Sequence, residues 1–147
     1  MAQERSSTTV WTGDVTTGSG LVSGDTGALG KHKVTLSNRV NAAEGLTSPE
    51  ELLAAAHSSC LAMNLGATLA KNGTPAETLT VTSHVGVAPK QGGGLEVTHA
   101  NVEIRGKVHG LTKDQFHELA TKAEETCPIA NVMRGNVPSD VKITFEH

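Results

Sequence analysis

A chain of 147 residues has room for one domain with a proper core, since compact domains run to about 100–200 residues. Its formal charge of -3, with 12 Lys and Arg scattered along the chain, argues against nucleic acid, and one Trp, two Phe and no Tyr are too few for a base-stacking surface. No run approaches the roughly 20 apolar residues of a membrane span, and the opening Met-Ala-Gln-Glu-Arg stretch lacks an apolar leader, so a soluble, cytoplasmic protein with neither membrane nor nucleic-acid partner is expected. The core must come from Val, Leu, Ile and Ala, and association between chains would add to so thin a core.

Residues 8–40 read as three short strands joined by turns, with Gly13-Asp14, Gly18-Ser-Gly20, Gly24-Asp25 and Gly27 as punctuation. In the third, Val34, Leu36 and Val40 share one face, while Lys33, Thr35, Ser37 and Arg39 share the other. A long helix follows. Ser48 caps it, Pro49 suits its first position, Glu51 completes a capping box, and Glu50 places negative charge in the first turn. The helix is expected to run to about Asn72, with Gly73 as its stop and Pro75 beyond. It is apolar or small on nearly every face, which predicts burial all round.

Residues 78–88 and 95–109 alternate as a long antiparallel hairpin, with a phase slip near His99–Ala100 that predicts a bulge. A second helix starts at Thr112, which forms a capping box with Gln115, while Leu111 and Phe116 form a hydrophobic staple. Cys127-Pro128 breaks this helix, a short one runs from Pro128 to about Arg134, and Gly135 ends it. Val141, Ile143 and Phe145 mark a last strand. The expected architecture is a single α+β domain over 1–147, with a β-rich part at about 1–46 and a helix-and-sheet part at about 47–147.

Two cysteines, Cys60 and Cys127, are too few for a secreted disulfide framework. Cys60 lies mid-helix, where a free cysteine behaves as a small hydrophobe and gains little from the helix dipole. Cys127 precedes Pro128 at a helix start, where the dipole favours thiolate. Inert packing and redox chemistry both remain open on spacing alone. His57 and Cys60 stand three apart on one helix, but no CxxC is present and His117-Glu118 lacks the second His of HExxH, so no metal is expected. His57 reads instead as a core or interface histidine with one hydrogen bond. Gly18-Ser-Gly20 lacks the strand-to-helix context of a dinucleotide site, so no cofactor is expected, and Ser58-Ser59 lacks a nucleophile elbow.

The stretch from Thr47 through Ser48, Pro49 and Glu50 to Cys60 resembles the osmotically inducible protein C (OsmC) and organic hydroperoxide resistance (Ohr) family. So does Ala123-Glu-Glu-Thr-Cys127-Pro-Ile-Ala-Asn-Val, with further agreement at Trp11-Thr-Gly-Asp14 and Asn38-Arg39. The resemblance implies an OsmC-like fold, antiparallel sheets around a long central helix, and an intertwined homodimer. It implies a peroxidase in which Cys60 is the peroxidatic cysteine and Cys127 the resolving one. Arg39 matches the arginine that stabilises the thiolate in the OsmC branch, and Glu50 the acid that holds it; Arg5 ranks well below as the arginine of the Ohr branch. Leu61 replaces the Phe that many members carry after the peroxidatic cysteine, which bears on pocket shape and not on thiol chemistry.

The implied substrate is an organic hydroperoxide or hydrogen peroxide, and the implied reductant an external dithiol such as a lipoyl group. The alternative is a non-catalytic, redox-responsive binding protein of the same fold. A free cysteine is only a few per cent thiolate at neutral pH, so a nearby guanidinium matters to either chemistry. Glu50 and Cys60, ten residues apart, would be separated by about 15 Å along a helix. The expectation is therefore that a partner subunit presents Arg39, Glu50 or both.

Overall fold

Glycine-punctuated Val and Thr segments at the N-terminus do pair as strands. The computed structural model describes residues 1–41 and 45–147, which form two units, Met1–Leu52 and Leu53–His147. In the first unit, β1 (Ser7–Thr12), β2 (Ser19–Gly24) and β3 (His32–Val34) form an antiparallel sheet in that order. Gly20 pairs with both Trp11 and Val34. A Cβ there would come within 3.0–3.1 Å of the Thr9, Val34 and Trp11 side chains, so the centre of this small sheet has no room for one. Between β1 and β2, Asp14 Oδ1 accepts the N–H groups of Thr16 and Thr17 at 2.8 and 2.9 Å, which closes the turn.

The third strand is shorter than its alternation predicts. Residues Leu36–Val40 form a short helix, α1, and Arg39 is therefore helical. Thr35 Oγ1 caps it by accepting the Asn38 N–H at 3.1 Å, and the Asn38 amide donates to the carbonyls of Leu46 and Thr47 at 2.7 and 3.2 Å. Such side-chain bonds give the backbone an alternative to the ladder, and a few alternating residues do not outweigh them. The long helix α2 (Pro49–Lys71) then begins, with Ser48 Oγ accepting the Glu51 N–H at 3.1 Å.

The second unit holds the rest of α2, the strands β4 (Thr78–Pro89), β5 (Leu95–Lys107) and β6 (Val141–Glu146), and the helices α3 (Lys113–Glu125) and α4 (Pro128–Met133). Its sheet runs β4-β5-β6, and β6 lies parallel to β5, so the sheet is mixed rather than wholly antiparallel. A parallel neighbour needs a crossover, which α3 and α4 supply. The predicted bulge is present slightly earlier than the phase slip suggests: Gly86 faces His99 while Val87 faces Val97, leaving Thr98 as the extra residue. A Cβ on Gly86 would meet the His99 ring at 2.2 Å, so only glycine lets that ring cross the hairpin.

Leu61, Leu65 and Leu69 of α2 form the core with Val102 and Ile104 of β5 and with Phe116, Ala120 and Ala123 of α3. The Thr112–Gln115 capping box is complete, as its sequence predicts. Phe116 is fully buried, and a Cβ on Gly106 would stand 2.2 Å from its ring, so the aromatic lies directly on strand backbone. The expectation that α2 is buried on every face does not hold. His57, Leu61, Leu65 and Leu69 are inside, whereas Ala55, Ser59, Met63 and Ala67 are exposed, Met63 by 76%. One sheet and two helices cover one side only. By length and composition α2 does reach what a membrane span needs, contrary to the reading of the sequence, but core helices meet the same test and its leucine face packs as one.

Candidate active site

Cys60 projects from the middle of α2 and is half-buried. Cys127 caps the N-terminus of α4, is fully buried, and its thiol donates to Cys60 Sγ at 3.5 Å. The reason these sulfurs meet lies one turn along α2. Asn64 Nδ2 donates to the Ala123 carbonyl at 2.6 Å and to Thr126 Oγ1 at 2.9 Å, fastening α2 to the end of α3 immediately before Cys127. Pro128 then turns the chain into α4. A polar side chain in an otherwise apolar helix was the available signal for Asn64, but its partners lie 59 and 62 residues away.

The pull of the helix start toward thiolate at Cys127 is present but outweighed. Burial pushes its thiol up; the Ala130 and Ile129 N–H groups oppose this, while the Cys60 sulfur adds to it, and the net direction is upward. A six-residue helix supplies too small a dipole to compensate for full desolvation. Cys127 is therefore a protonated donor, and Cys60, the more exposed sulfur, is its acceptor. A disulfide needs about 2.05 Å between sulfurs, so the two are reduced and about one bond-forming approach apart.

In the first unit, Arg39 and Glu50 form a bidentate pair. Arg39 Nε donates to Glu50 Oε1 and Oε2 at 2.9 and 3.2 Å, and Nη2 donates to Oε1 at 2.8 Å. Glu50 is 7% exposed and Arg39 34%. The fork is thus fixed through one edge, which leaves Nη1 for another acceptor. Arg39 also lines a cavity of about 130 Å³ whose walls include Trp11, Val15, Val34 and Leu36. A guanidinium at the edge of an apolar hollow suits a molecule with a polar end and a hydrocarbon body.

His57 is buried, and its Nδ1 lies 2.8 Å from Ser83 Oγ, so the expected single hydrogen bond is present. Among the described residues its Nε2 is buried with no hydrogen-bond partner. Burial pushes its pKa down, with the nearby Glu124 carboxylate pulling the other way. Glu124 is itself 8% exposed and receives Arg134 Nη2 at 3.1 Å. This trio is not evident from the sequence, although Glu124 stands in the apolar stripe of α3, four residues after Ala120. Among the described residues no group of three or more His, Cys, Asp or Glu is arranged to hold a metal ion.

The family model for OsmC-like proteins matches residues 42–142, a span that contains Glu50, Cys60 and Cys127 and begins after Arg39. The peroxiredoxin OsmC of Escherichia coli K12 is 29% identical over 133 residues, covering 90% of this chain and 92% of that protein. An organic hydroperoxide resistance protein of Xanthomonas axonopodis pv. citri is 37% identical over 101 residues, or 67% of this chain and 66% of the relative. Among solved structures, an organic hydroperoxide resistance protein from Elizabethkingia anophelis superposes with a TM-score of 0.78 at 26% identity, covering 99% of both chains. With its two cysteine motifs, its α+β architecture and a family match over most of its length, the chain belongs to the OsmC-like protein family.

Proposed function

We propose that the protein is a cytoplasmic thiol peroxidase that reduces organic hydroperoxides, with Cys60 as the attacking sulfur and Cys127 as the resolving one. The observation that carries this reading is the 3.5 Å approach of a half-exposed thiol to a fully buried one. The relatives named as a peroxiredoxin and as hydroperoxide resistance proteins support the same class of reaction. A reducing compartment suits a pair that must return to two thiols after every turnover.

Thiolate Cys60 attacks one peroxide oxygen. The S–O bond forms as the O–O bond breaks, the departing oxygen leaves as an alcohol after taking a proton, and Cys60 becomes a sulfenic acid, oxidised by two electrons. Cys127 then attacks Cys60 Sγ, the S–O bond breaks, water leaves, and a disulfide remains. An external dithiol, of which a lipoyl group is one form, restores both thiols by exchange. Arg39, held by Glu50, serves as the cation for the oxidation step, presented to Cys60 by a partner subunit. We further propose a homodimer, for which the exposed Ala55, Ser59, Met63 and Ala67 stripe is a suitable apolar surface.

Reduced protein mixed with one equivalent of cumene hydroperoxide should lose two thiols per chain, far faster than free cysteine and faster than with hydrogen peroxide. Stopped-flow thiol titration measures this. Loss no faster than free cysteine would overturn the enzyme reading and leave a redox-responsive binding protein.

A further inference from the structure

For the two sulfurs to meet, the corner between α3 and α4 must be held against α2, and Asn64 is the side chain placed to hold it. It stands four residues after Cys60, the spacing that puts two side chains on one helix face with Cβ atoms about 5–6 Å apart. Its Nδ2 spends one hydrogen on the Ala123 carbonyl at 2.6 Å and the other on Thr126 Oγ1 at 2.9 Å. A carbonyl only accepts, which fixes the end of the amide that faces it. Thr126 Oγ1 donates in turn to the Lys122 carbonyl at 2.9 Å, so a lone pair is the part left for Asn64. Among the described residues, these two bonds and the thiol contact itself are the hydrogen bonds that join α2 to the α3–α4 corner.

The corner is already tied within itself. The Glu124 carbonyl accepts the Cys127 N–H at 3.2 Å and Arg134 Nη2 at 3.1 Å, and the Asn131 N–H returns to the Cys127 carbonyl at 3.0 Å. Cys127 therefore moves with the corner, and the corner's place against α2 is set by Asn64. The sulfurs stand 3.5 Å apart and must close to about 2.05 Å to bond. Side-chain rotation covers that gap while the two backbones stay in register, whereas a misplacement of about 1 Å is enough to cost about 100-fold in rate. Asparagine is a poor helix former, and it sits here beside Leu61, Ala62, Met63 and Leu65, so helix formation does not account for it. The two bonds to the corner do.

We propose that Asn64 is the positioning residue for the resolving step: by anchoring the end of α3 to α2 it sets the effective concentration of Cys127 at Cys60, and so decides whether the sulfenic acid ends as a disulfide or is over-oxidised. This rests on the peroxidase reading above. Two steps compete for the Cys60 sulfenic acid. In one, the Cys127 sulfur attacks Cys60 Sγ, the S–S bond forms as the S–O bond breaks, and the departing hydroxide leaves as water with the thiol proton. In the other, a second hydroperoxide transfers an oxygen to the same sulfur, its O–O bond breaks, an alcohol leaves and a sulfinic acid remains. Where Cys127 stands matters only to the first. The Asn64 clamp thus speeds the first step alone, and a fast first step keeps Cys60 in a form that an external dithiol restores.

The test compares the full-length protein with Asn64→Ala, Thr126→Val and Thr126→Ser. A single turnover with cumene hydroperoxide, sampled by rapid quench with dimedone trapping and mass spectrometry, separates Cys60 oxidation from disulfide formation. Equilibrating the diamide-formed disulfide with dithiothreitol buffers gives its reduction potential without any peroxide. Asn64→Ala is expected to slow disulfide formation by about 10- to 100-fold while Cys60 oxidation changes by less than about twofold. Excess peroxide should then leave more sulfinic acid at Cys60. Effective concentration enters the equilibrium as well as the rate, so the potential should become about 30–60 mV less negative, about 30 mV for each tenfold. Thr126→Val should show a smaller change in the same direction, and Thr126→Ser, which keeps the hydroxyl, none. Asn64→Ala/Thr126→Val should lose no more than Asn64→Ala alone, since members of one clamp do not add. The exposed Thr126 pair carries the test if Asn64→Ala does not fold. Unchanged disulfide formation and potential in Asn64→Ala would overturn the proposal. So would equal slowing of both steps in proportion to a lower Tm, or Thr126→Ser behaving as Thr126→Val. Absence of any Cys60 oxidation by peroxide in the unmodified protein would instead sink the peroxidase reading, while the potentials would still judge the clamp.

Discussion

Cys60→Ser is expected to lose peroxide consumption down to the buffer background, while Cys127→Ser consumes one peroxide per chain rapidly, a second only as Cys60 over-oxidises, and then stops. The asymmetry follows from the two environments. Cys60 is half-buried and accepts a hydrogen bond from its neighbour, whereas Cys127 is fully enclosed and protonated. A serine at 60 replaces the attacking thiol with a hydroxyl, which is not appreciably ionised at neutral pH. A serine at 127 leaves the first step intact but removes its resolution. Excess peroxide then drives Cys60 from sulfenic to sulfinic acid, visible as two added oxygen atoms in the intact mass. Cys127→Ser also puts a hydroxyl into a closed site, at a cost of about 1–3 kcal/mol if it finds no acceptor, so its Tm should fall while its first turnover survives. Equal activity in the two variants would refute the assignment of roles.

Arg39→Ala should slow Cys60 oxidation by about 30- to 150-fold, the equivalent of losing a charge-assisted hydrogen bond of about 2–3 kcal/mol to the reacting group. Disulfide formation should keep its rate. Arg39→Lys should recover only part of the loss, because an ammonium restores the charge without the planar fork that Glu50 grips with two nitrogens. Stability changes must be separated from this effect, since Arg39→Ala strands the Glu50 carboxylate at 7% exposure. Breaking a fully buried pair costs about 3–5 kcal/mol; here Arg39 is 34% exposed and water screens part of the interaction. The double variant Arg39→Ala/Glu50→Gln removes the stranded charge. It should regain Tm and still oxidise slowly. A rate that returns with Tm would reduce the pair to a structural clamp.

The long helix, its cap at Ser48 and its stop at Gly73, the Thr112–Gln115 capping box and the Pro128 break were all legible along the chain. Each is written in neighbouring residues, because caps and breakers act over a single turn. The two cysteine motifs and the acid at Glu50 were legible by resemblance, and so was the family. Period-two patterning misplaced Leu36–Val40, where the Thr35 cap and the Asn38 amide bonds turned an expected strand into a helix. Only the tertiary structure decided the rest. The parallel pairing of β6 depends on a crossover and not on local pattern. The inner and outer faces of α2 differ because a uniformly apolar helix cannot say which side the sheet will cover. The sign of the Cys127 shift was decided by enclosure, which outweighs a short helix dipole that sequence does reveal. Placing His57, Glu124 and Arg134 around one cavity required residues from α2, α3 and the end of α4 to converge. Burial and proximity are properties of the packed chain, and they set the protonation states on which this chemistry turns.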